Sequence, residues 1–126
     1  MVKKLKSILL IDDSADDRFL ARRILQNDAL NISEARGWRD AISQLEDQDI
    51  ELIILDVMMP EMDGISLLKL IREKLKDVPV VIYTGSTRFS EKECINKGSN
   101  AMVSKYGHPS ILLEKIHELF RIKVAA

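Results

Sequence analysis

The chain has 126 residues, 46% of them hydrophobic and 31% charged, and this composition excludes disordered and collagen-like proteins. A chain of this length buries about two thirds of its surface on folding, which is enough for a single domain without disulfides. The formal net charge of −1 does not indicate a nucleic-acid binder, and no apolar run approaches the roughly 18 residues of a membrane span, so we expect a cytoplasmic protein with no membrane contact.

Five short, unbroken apolar runs predict strands that are buried on both faces of a parallel sheet. They cover residues 7–11, 31–35, 51–55, 80–84 and 101–104. Strands of this kind, separated by helical stretches and short loops, predict the (βα)5 class of α/β fold. In that fold a doubly wound parallel five-stranded sheet carries helices on both faces, through right-handed crossovers.

Helical spacing of apolar residues predicts a helix after each strand. The helices are expected after Ser14 as far as Asn27, at 38–48, between Gly64 and Pro79, at 90–97, and from residue 109 onward. Ser14 and Asp17 form a variant of the capping box at the start of the first helix. Arg18 and Arg22 lie one turn apart on that helix, and a solvent-exposed face is favoured over a partner-docking contact.

Polar residues follow four of the predicted strands. Asp12 and Asp13 end the first strand, Asp56 the third, Thr84 and Gly85 the fourth, and Lys105 the fifth. Ligands of open α/β sheets bind beyond the carboxyl ends of the strands, so these residues should converge on one site. Closely packed carboxylates repel one another unless a cation lies among them, and oxygen ligands without His or Cys suit Mg²⁺. The pattern therefore predicts a magnesium site with phosphoryl chemistry.

Each of these residues also has an ordinary structural interpretation. An Asp after a strand is commonly a turn former or a helix cap, which is the favoured interpretation of the pair Asp12 and Asp13 taken alone. A lone Lys105 after an edge strand is usually solvated. The coincidence of all of them at one edge of the sheet favours a functional site.

The segment Asp56-Val-Met-Met-Pro-Glu-Met-Asp-Gly64 closely resembles the phosphorylation loop of response regulator receiver domains of two-component signalling systems. The acidic pair before it and Thr84, Gly85 and Lys105 after it extend the resemblance over essentially the whole chain. The resemblance implies the flavodoxin-like strand order 2-1-3-4-5. It also implies that the protein is a phosphoprotein of a phosphorelay. Such a protein catalyses only its own phosphorylation and dephosphorylation and is not an enzyme.

The resemblance assigns a role to each residue of the acidic cluster. Asp56 would be the phosphoacceptor, forming an acyl phosphate with a phosphoryl group from a phosphohistidine. Asp13, Asp56 and the backbone carbonyl of Met58 would bind Mg²⁺ directly, and Asp12 would bind it through a water.

The remaining residues would contact the phosphoryl group and transmit its presence. Lys105 and the Thr84 hydroxyl would each contact a phosphoryl oxygen, and the backbone N–H of Gly85 would approach the group. Thr84 and Met102 occupy the switch positions. The implied partners are a sensor histidine kinase or a histidine phosphotransfer protein, and a downstream protein that binds the face of helix four, strand five and helix five. The sequence leaves a homodimer open.

Two residues depart from the family pattern. Tyr106 stands where a proline in a cis peptide is usual, and a cis bond before tyrosine would cost about 3 kcal/mol, so we predict a trans or rearranged loop over residues 105–108. Met102 stands where many members carry a switch aromatic residue. A flexible methionine fills either arrangement, so we expect a weaker or differently built coupling to the output face.

Three alternatives compete with a phosphoacceptor. An aspartate-nucleophile phosphatase needs a second aspartate two residues after the first, where Met58 stands. A nucleotide-binding protein needs glycines after the first strand, where Asp12 and Asp13 stand. A phosphorylation-independent interaction module on the same fold is the third. We expect one receiver domain over residues 1–126, with its core at about 5–122 and no output domain, either as a natural single-domain protein or as part of a longer regulator.

Overall fold

The structure is a computed structural model that describes residues 5–26 and 29–125, with side chains as far as residue 121. Strands and helices alternate along the chain. They are β1 (Lys6–Ile11), α1 (Ala15–Leu25), β2 (Leu30–Ala35), α2 (Trp38–Asp47), β3 (Leu52–Leu55), α3 (Gly64–Lys74), β4 (Val80–Thr84), α4 (Glu91–Asn96), β5 (Ala101–Ser104) and α5 (Pro109–Ala125). Every predicted strand is present, with its ends within one residue of the prediction. The predicted end of the first helix, Asn27, lies outside the described residues.

The five strands form one parallel sheet in the order β2-β1-β3-β4-β5. This confirms the predicted fold class and the flavodoxin-like order. The chain passes from β1 through α1 to β2 on one side of β1. It then passes from β2 through α2 to β3 on the other side of β1. The order of the strands therefore reverses at β1, which places the crevice for ligands at the carboxyl ends of β1 and β3.

The sheet is buried on both faces because its strands are apolar at successive positions. The side chains of Leu9 and Ile11 belong to the cluster under α2, α3 and α4, which also contains Cys94. Those of Ile8 and Leu10 belong to the cluster under α1 and α5. All four are at most 1% exposed. This rigid double-sided core holds the ends of β1 and β3 in place.

Local signals define the ends of the helices. Ser14 accepts a hydrogen bond from the backbone N–H of Asp17 at 3.2 Å, which confirms the Ser14 half of the predicted capping box at α1. The reciprocal half is wrong, because the N–H of Ser14 donates to Oδ1 of Asp12 and not to Asp17. Ser90 and Glu93 form a complete capping box at α4. Gly98 follows α4 with φ of 117°, a left-handed conformation that disfavours residues with a side chain. None of the helices in the described part of the chain is both long and apolar enough to cross a membrane.

The prediction that Arg18 and Arg22 lie on a solvent-exposed face of α1 is wrong for Arg18. Arg18 is 9% exposed, and its guanidinium donates to the carbonyl oxygen of Asp12 at 2.7 Å and to a carboxylate oxygen of Glu34 at 3.0 Å. Arg22 is exposed as expected, although it donates to the carbonyl oxygen of Ile32 on the edge strand at 2.9 Å. Helical spacing placed both arginines on one face, but the rotation of α1 turned that face partly toward β2 and the end of β1.

Candidate functional site

Asp56 lies directly after β3 and is 7% exposed. Its backbone N–H donates to the carbonyl oxygen of Ile11 at 3.0 Å, so the parallel pairing of β1 and β3 continues to this residue. The carboxylate Oδ1 accepts hydrogen bonds from the backbone N–H of Met58 (3.0 Å) and the hydroxyl of Thr84 (2.9 Å). Oδ2 accepts from Lys105 Nζ at 2.8 Å. The carboxylate is therefore held in one orientation at the floor of the site.

The chain after Asp56 is fixed by close backbone packing. The N–H of Gly64 donates to the carbonyl oxygen of Val57 at 2.9 Å. A Cβ at Gly64 would lie 2.2 Å from the Cα of Val57 and 2.7 Å from the carbonyl oxygen of Asp56, so only glycine fits at the start of α3. Asp63 caps that helix by accepting from the N–H of Ser66 at 2.9 Å.

The two acidic residues after β1 differ in environment. Asp12 is buried, and its Oδ1 accepts from the backbone N–H of Ser14 at 2.9 Å, as the turn interpretation predicted. Its Oδ2 accepts from Lys105 at 2.7 Å, so the same side chain also belongs to the site. Burial raises the pKa of the Asp12 carboxyl, and the hydrogen bond from Lys105 opposes this shift. Asp13 is exposed.

Asp12, Asp13 and Asp56 form a cluster that fits a divalent cation. One carboxylate oxygen from each lies within 4.8 Å of those of the other two. Oxygen ligands alone, without His or Cys, suit Mg²⁺. The predicted convergence of the residues after β1 and β3 is thus confirmed in the geometry.

Lys105 links the acidic residues of the site. Its Nζ is 2.7 Å from Oδ2 of Asp12, 2.7 Å from Oδ2 of Asp17 and 2.8 Å from Oδ2 of Asp56. Burial of the ammonium by itself would lower the pKa of Lys105, but the hydrogen bonds to the three carboxylates outweigh it and raise the pKa above its ordinary value. Lys105 is therefore an ammonium ion at physiological pH.

Sequence reasoning did not include Asp17 in the site. The spacing from Ser14 explained Asp17 as a capping residue, and its backbone N–H does serve that purpose. Its carboxylate instead points to Lys105, which is 88 positions away in the chain. A usable signal was present, because the first turn of the helix after β1 lies at the same edge of the sheet as the strand ends.

Thr84 and Gly85, at the end of β4, lie next to the loop that follows β5. The Thr84 hydroxyl donates to Asp56 and accepts from the backbone N–H of Ser86 at 3.2 Å. A Cβ at Gly85 would lie 3.1 Å from the hydroxyl oxygen of Tyr106 and 3.2 Å from two of its ring carbons. The ring of Tyr106 thus lies against Gly85, although 85% of the residue is exposed.

The two departures from the family pattern have different structural outcomes. The described residues contain no cis peptide bond, so the predicted trans peptide between Lys105 and Tyr106 is confirmed. Met102 is half-buried and packs against the cluster under α2, α3 and α4. Met102 is thus a packing residue of the fold, and no aromatic ring stands at this position.

A cleft of about 560 Å³ lies above this cluster of side chains. Asp56, Thr84 and Lys105 line it together with Asp17. Three exposed apolar or aromatic side chains lie around these polar groups, namely Leu20, Met58 and Tyr106. The cleft therefore presents carboxylates and one ammonium within a partly apolar rim.

Comparison with known proteins agrees with this geometry. A family model described as the response regulator receiver domain matches residues 8–117. The chain belongs to this family. Receiver domains are signalling domains of two-component response regulators.

Similar receiver proteins span most of this chain. The two-component response regulator ORR3 of rice (Oryza sativa subsp. indica) is 31% identical over 107 residues, which cover 82% of each chain. A solved CheY-like receiver domain from Methanospirillum hungatei has a TM-score of 0.86 at 25% identity and covers 97% of this chain and 98% of its own. The response regulator protein TrrA of Thermotoga maritima, solved in complex with Mg²⁺-BeF, has a TM-score of 0.83 at 27% identity, covering 91% of this chain and 99% of its own.

Proposed function

We propose that this receiver domain accepts a phosphoryl group on Asp56 in a Mg²⁺-dependent reaction and signals through phosphorylation-dependent protein contacts. The observation that carries the proposal is the position of the Asp56 carboxylate, which belongs to the acidic cluster and also accepts a hydrogen bond from the ammonium of Lys105. The complex of the similar protein TrrA with Mg²⁺-BeF supports it.

The donor would be a phosphohistidine on a sensor kinase or a phosphotransfer protein. A carboxylate oxygen of Asp56 attacks phosphorus, the bond between phosphorus and the imidazole nitrogen breaks, and its electron pair stays on that nitrogen. The product on this chain is an acyl phosphate. Such a transfer depends mainly on positioning and on neutralising charge, which the hydrogen bonds to Asp56 and the nearby ammonium supply.

The acidic cluster would hold the ion on which the reaction depends. Asp13, Asp56 and the backbone carbonyl of Met58 would bind it directly, and Asp12 would bind it through a water. When bound, Mg²⁺ neutralises negative charge on the phosphoryl oxygens. Asp12 and Asp13 therefore have the role of keeping a cation beside Asp56.

Two side chains would bind the transferred group once it is on Asp56. The ammonium of Lys105 would pair with one phosphoryl oxygen, and the hydroxyl of Thr84 would donate to another. Gly85 would let its backbone N–H come close. Thr84 donates to Asp56 in the structure, so its hydroxyl must turn to a new acceptor when the phosphoryl group is present.

This turn of Thr84 would be the start of the signal. It changes the loop between β4 and α4, and so biases the face of α4, β5 and α5, where we place the downstream protein. Met102 lies under this face and would repack without an aromatic ring. A weaker coupling than in members with an aromatic switch residue is the expected result.

The test uses the purified protein, Mg²⁺ and a small phosphodonor such as phosphoramidate, which bypasses the unknown kinase. Intact mass spectrometry should show one labile phosphoryl adduct, which disappears when Mg²⁺ is chelated and in Asp56→Asn. Asp63→Asn is the matched control, because Asp63 belongs to the same loop but caps α3, and it should still be modified. An adduct that persists in Asp56→Asn would contradict the proposal, and no adduct with Mg²⁺ bound would favour a phosphorylation-independent module.

A further inference from the structure

Asp17 contacts Lys105 as closely as the two buried carboxylates do. Its Oδ2 lies 2.7 Å from Nζ, the same distance as Oδ2 of Asp12 and slightly less than that of Asp56. The Asp17 side chain is 41% exposed, whereas those of Asp12 and Asp56 are 4% and 8% exposed. It also lines the cleft in which Asp56 lies. Asp17 is therefore a negative charge on the open wall of the site.

The ammonium of Lys105 has three hydrogens, and each has a carboxylate acceptor in the structure. A phosphoryl oxygen can bind to Lys105 only if one of these contacts is given up. Asp12 and Asp56 are also held by other groups, because Ser14 donates to the first, and Met58 and Thr84 donate to the second.

The Asp17 carboxylate is the partner that can most easily be released. Within residues 5–26 and 29–121, its side chain has no hydrogen bond or ion pair other than the one with Lys105. It is also the most exposed of the three carboxylates, so water can solvate it when the contact breaks. Exchange of Asp17 for a phosphoryl oxygen is thus the least costly way to free one donor of Lys105.

We propose that Asp17 is a positioning residue that holds Lys105 in the unphosphorylated domain and, by competing for its ammonium and repelling the anionic donor, slows phosphoryl transfer to Asp56. This inference rests on the proposed acceptance of a phosphoryl group at Asp56. It adds that the basal rate of modification is set in part by a residue of α1 outside the acidic cluster.

The expected effect follows from the charge. A phosphodonor carries negative charge into a cleft with Asp17 on its wall. The repulsion free energy of two charges a few ångströms apart near a protein surface corresponds to about a three- to tenfold change in rate. Asp17→Asn keeps the shape of the side chain but removes its charge. We therefore expect the rate of Asp56 modification to rise about three- to tenfold, and we expect salt to reduce this gain because it screens the charge.

Asp16→Asn is the matched control. Asp16 is the neighbouring acidic residue in the first turn of α1, is exposed, and has no hydrogen bond or ion pair with Lys105. Both substitutions change the net charge by the same amount and remove the same favourable interaction with the helix dipole. Asp17→Glu keeps the charge and should stay within about twofold of the wild-type rate.

The experiment measures the rate of adduct formation from phosphoramidate in Mg²⁺ at low and high ionic strength, with intact mass spectrometry on the full chain and thermal melts to confirm folding. Faster modification of Asp17→Asn than of Asp16→Asn, with a gap that narrows in high salt, is the expected result. Equal rates for the two variants would overturn the inference, as would a slower rate for Asp17→Asn, since it would mean that Asp17 orients Lys105 productively.

The two proposals fail in different ways. If wild type and both variants take up no phosphoryl group, the proposed function is overturned and the inference about Asp17 with it. If all three are modified in an Asp56-dependent manner at the same rate, only the inference about Asp17 is overturned.

Discussion

The loop that carries Asp56 and the loop that carries Lys105 are held in place by different forces. After Asp56, Val57 is buried and Gly64 packs directly on its backbone. After Lys105, Tyr106 is largely exposed and its ring lies against Gly85. Lys105 itself is held by three carboxylates. Packing therefore fixes the backbone of the loop that carries Asp56, whereas charge fixes the ammonium of Lys105.

This difference has a functional meaning. A group held by packing stays in place when the charge of the site changes, which suits a phosphoacceptor that must be aligned with its donor. A group held by ion pairs changes partners when a new anion or cation arrives. The site thus combines a carboxylate on a tightly packed loop with a cation held by ion pairs, which suits the proposed phosphoacceptor role of Asp56.

The largest effect is expected from Gly64→Ala. The added methyl group would meet backbone atoms of Val57 and Asp56, which cannot move as a flexible side chain would. We expect a loss of about 3 kcal/mol in the free energy of unfolding, measured by urea denaturation. The control is Gly37→Ala, where nothing lies within 4 Å of the added Cβ, and it should lose less than about 1 kcal/mol. Equal losses at the two positions would show that packing at Gly64 is not what holds the loop.

Lys105→Met tests the part of the site that is held by charge. It leaves three carboxylates, two of them buried, without their ammonium, and we expect a loss of about 2 kcal/mol in unfolding free energy at neutral pH. Mg²⁺ should restore part of this stability, because it supplies positive charge to the same carboxylates. The control Lys115→Met removes an exposed pair with Glu118 and should change stability by less than about 0.5 kcal/mol.

The contribution of Lys105 should also depend on pH. Because hydrogen bonds to the carboxylates raise the pKa of Lys105 above 10.5 against the effect of burial, its protonated form stabilises the folded state. This contribution is fully present below the unfolded pKa and is lost as pH rises from there toward the folded pKa. The difference in unfolding free energy between wild type and Lys105→Met should therefore be constant from neutral pH to about pH 10 and shrink above it. A difference that grows with pH would contradict this assignment.

The smallest effect is expected from Gly85→Ala. The added methyl group would approach the ring of Tyr106, but this ring is 85% exposed and can move away at little cost. We expect a change in unfolding free energy within about 0.5 kcal/mol, and the same value when Tyr106 is also replaced by Ala. A loss comparable to that of Gly64→Ala would mean that the loop of Lys105 is held by packing after all.

The sequence by itself determined the succession of strands and helices along the chain and the residues that meet at one edge of the sheet. The reason is that apolar runs must be buried, and parallel strands bring their carboxyl ends together, so polar residues after β1, β3, β4 and β5 had to converge. The family motif then identified Asp56 as the centre of the site. Helix rotation and long-range contacts carry no comparable signal in a single sequence.

Only the tertiary structure decided the roles of two neighbouring residues of α1. Arg18 was expected in solvent but lies against the end of β1, and Asp17 was explained as a cap but pairs with Lys105. Both outcomes depend on how α1 is rotated over the sheet and on a lysine 88 positions away. The periodicity of a helix shows which of its residues share a face, but the packing of the whole fold decides what that face meets.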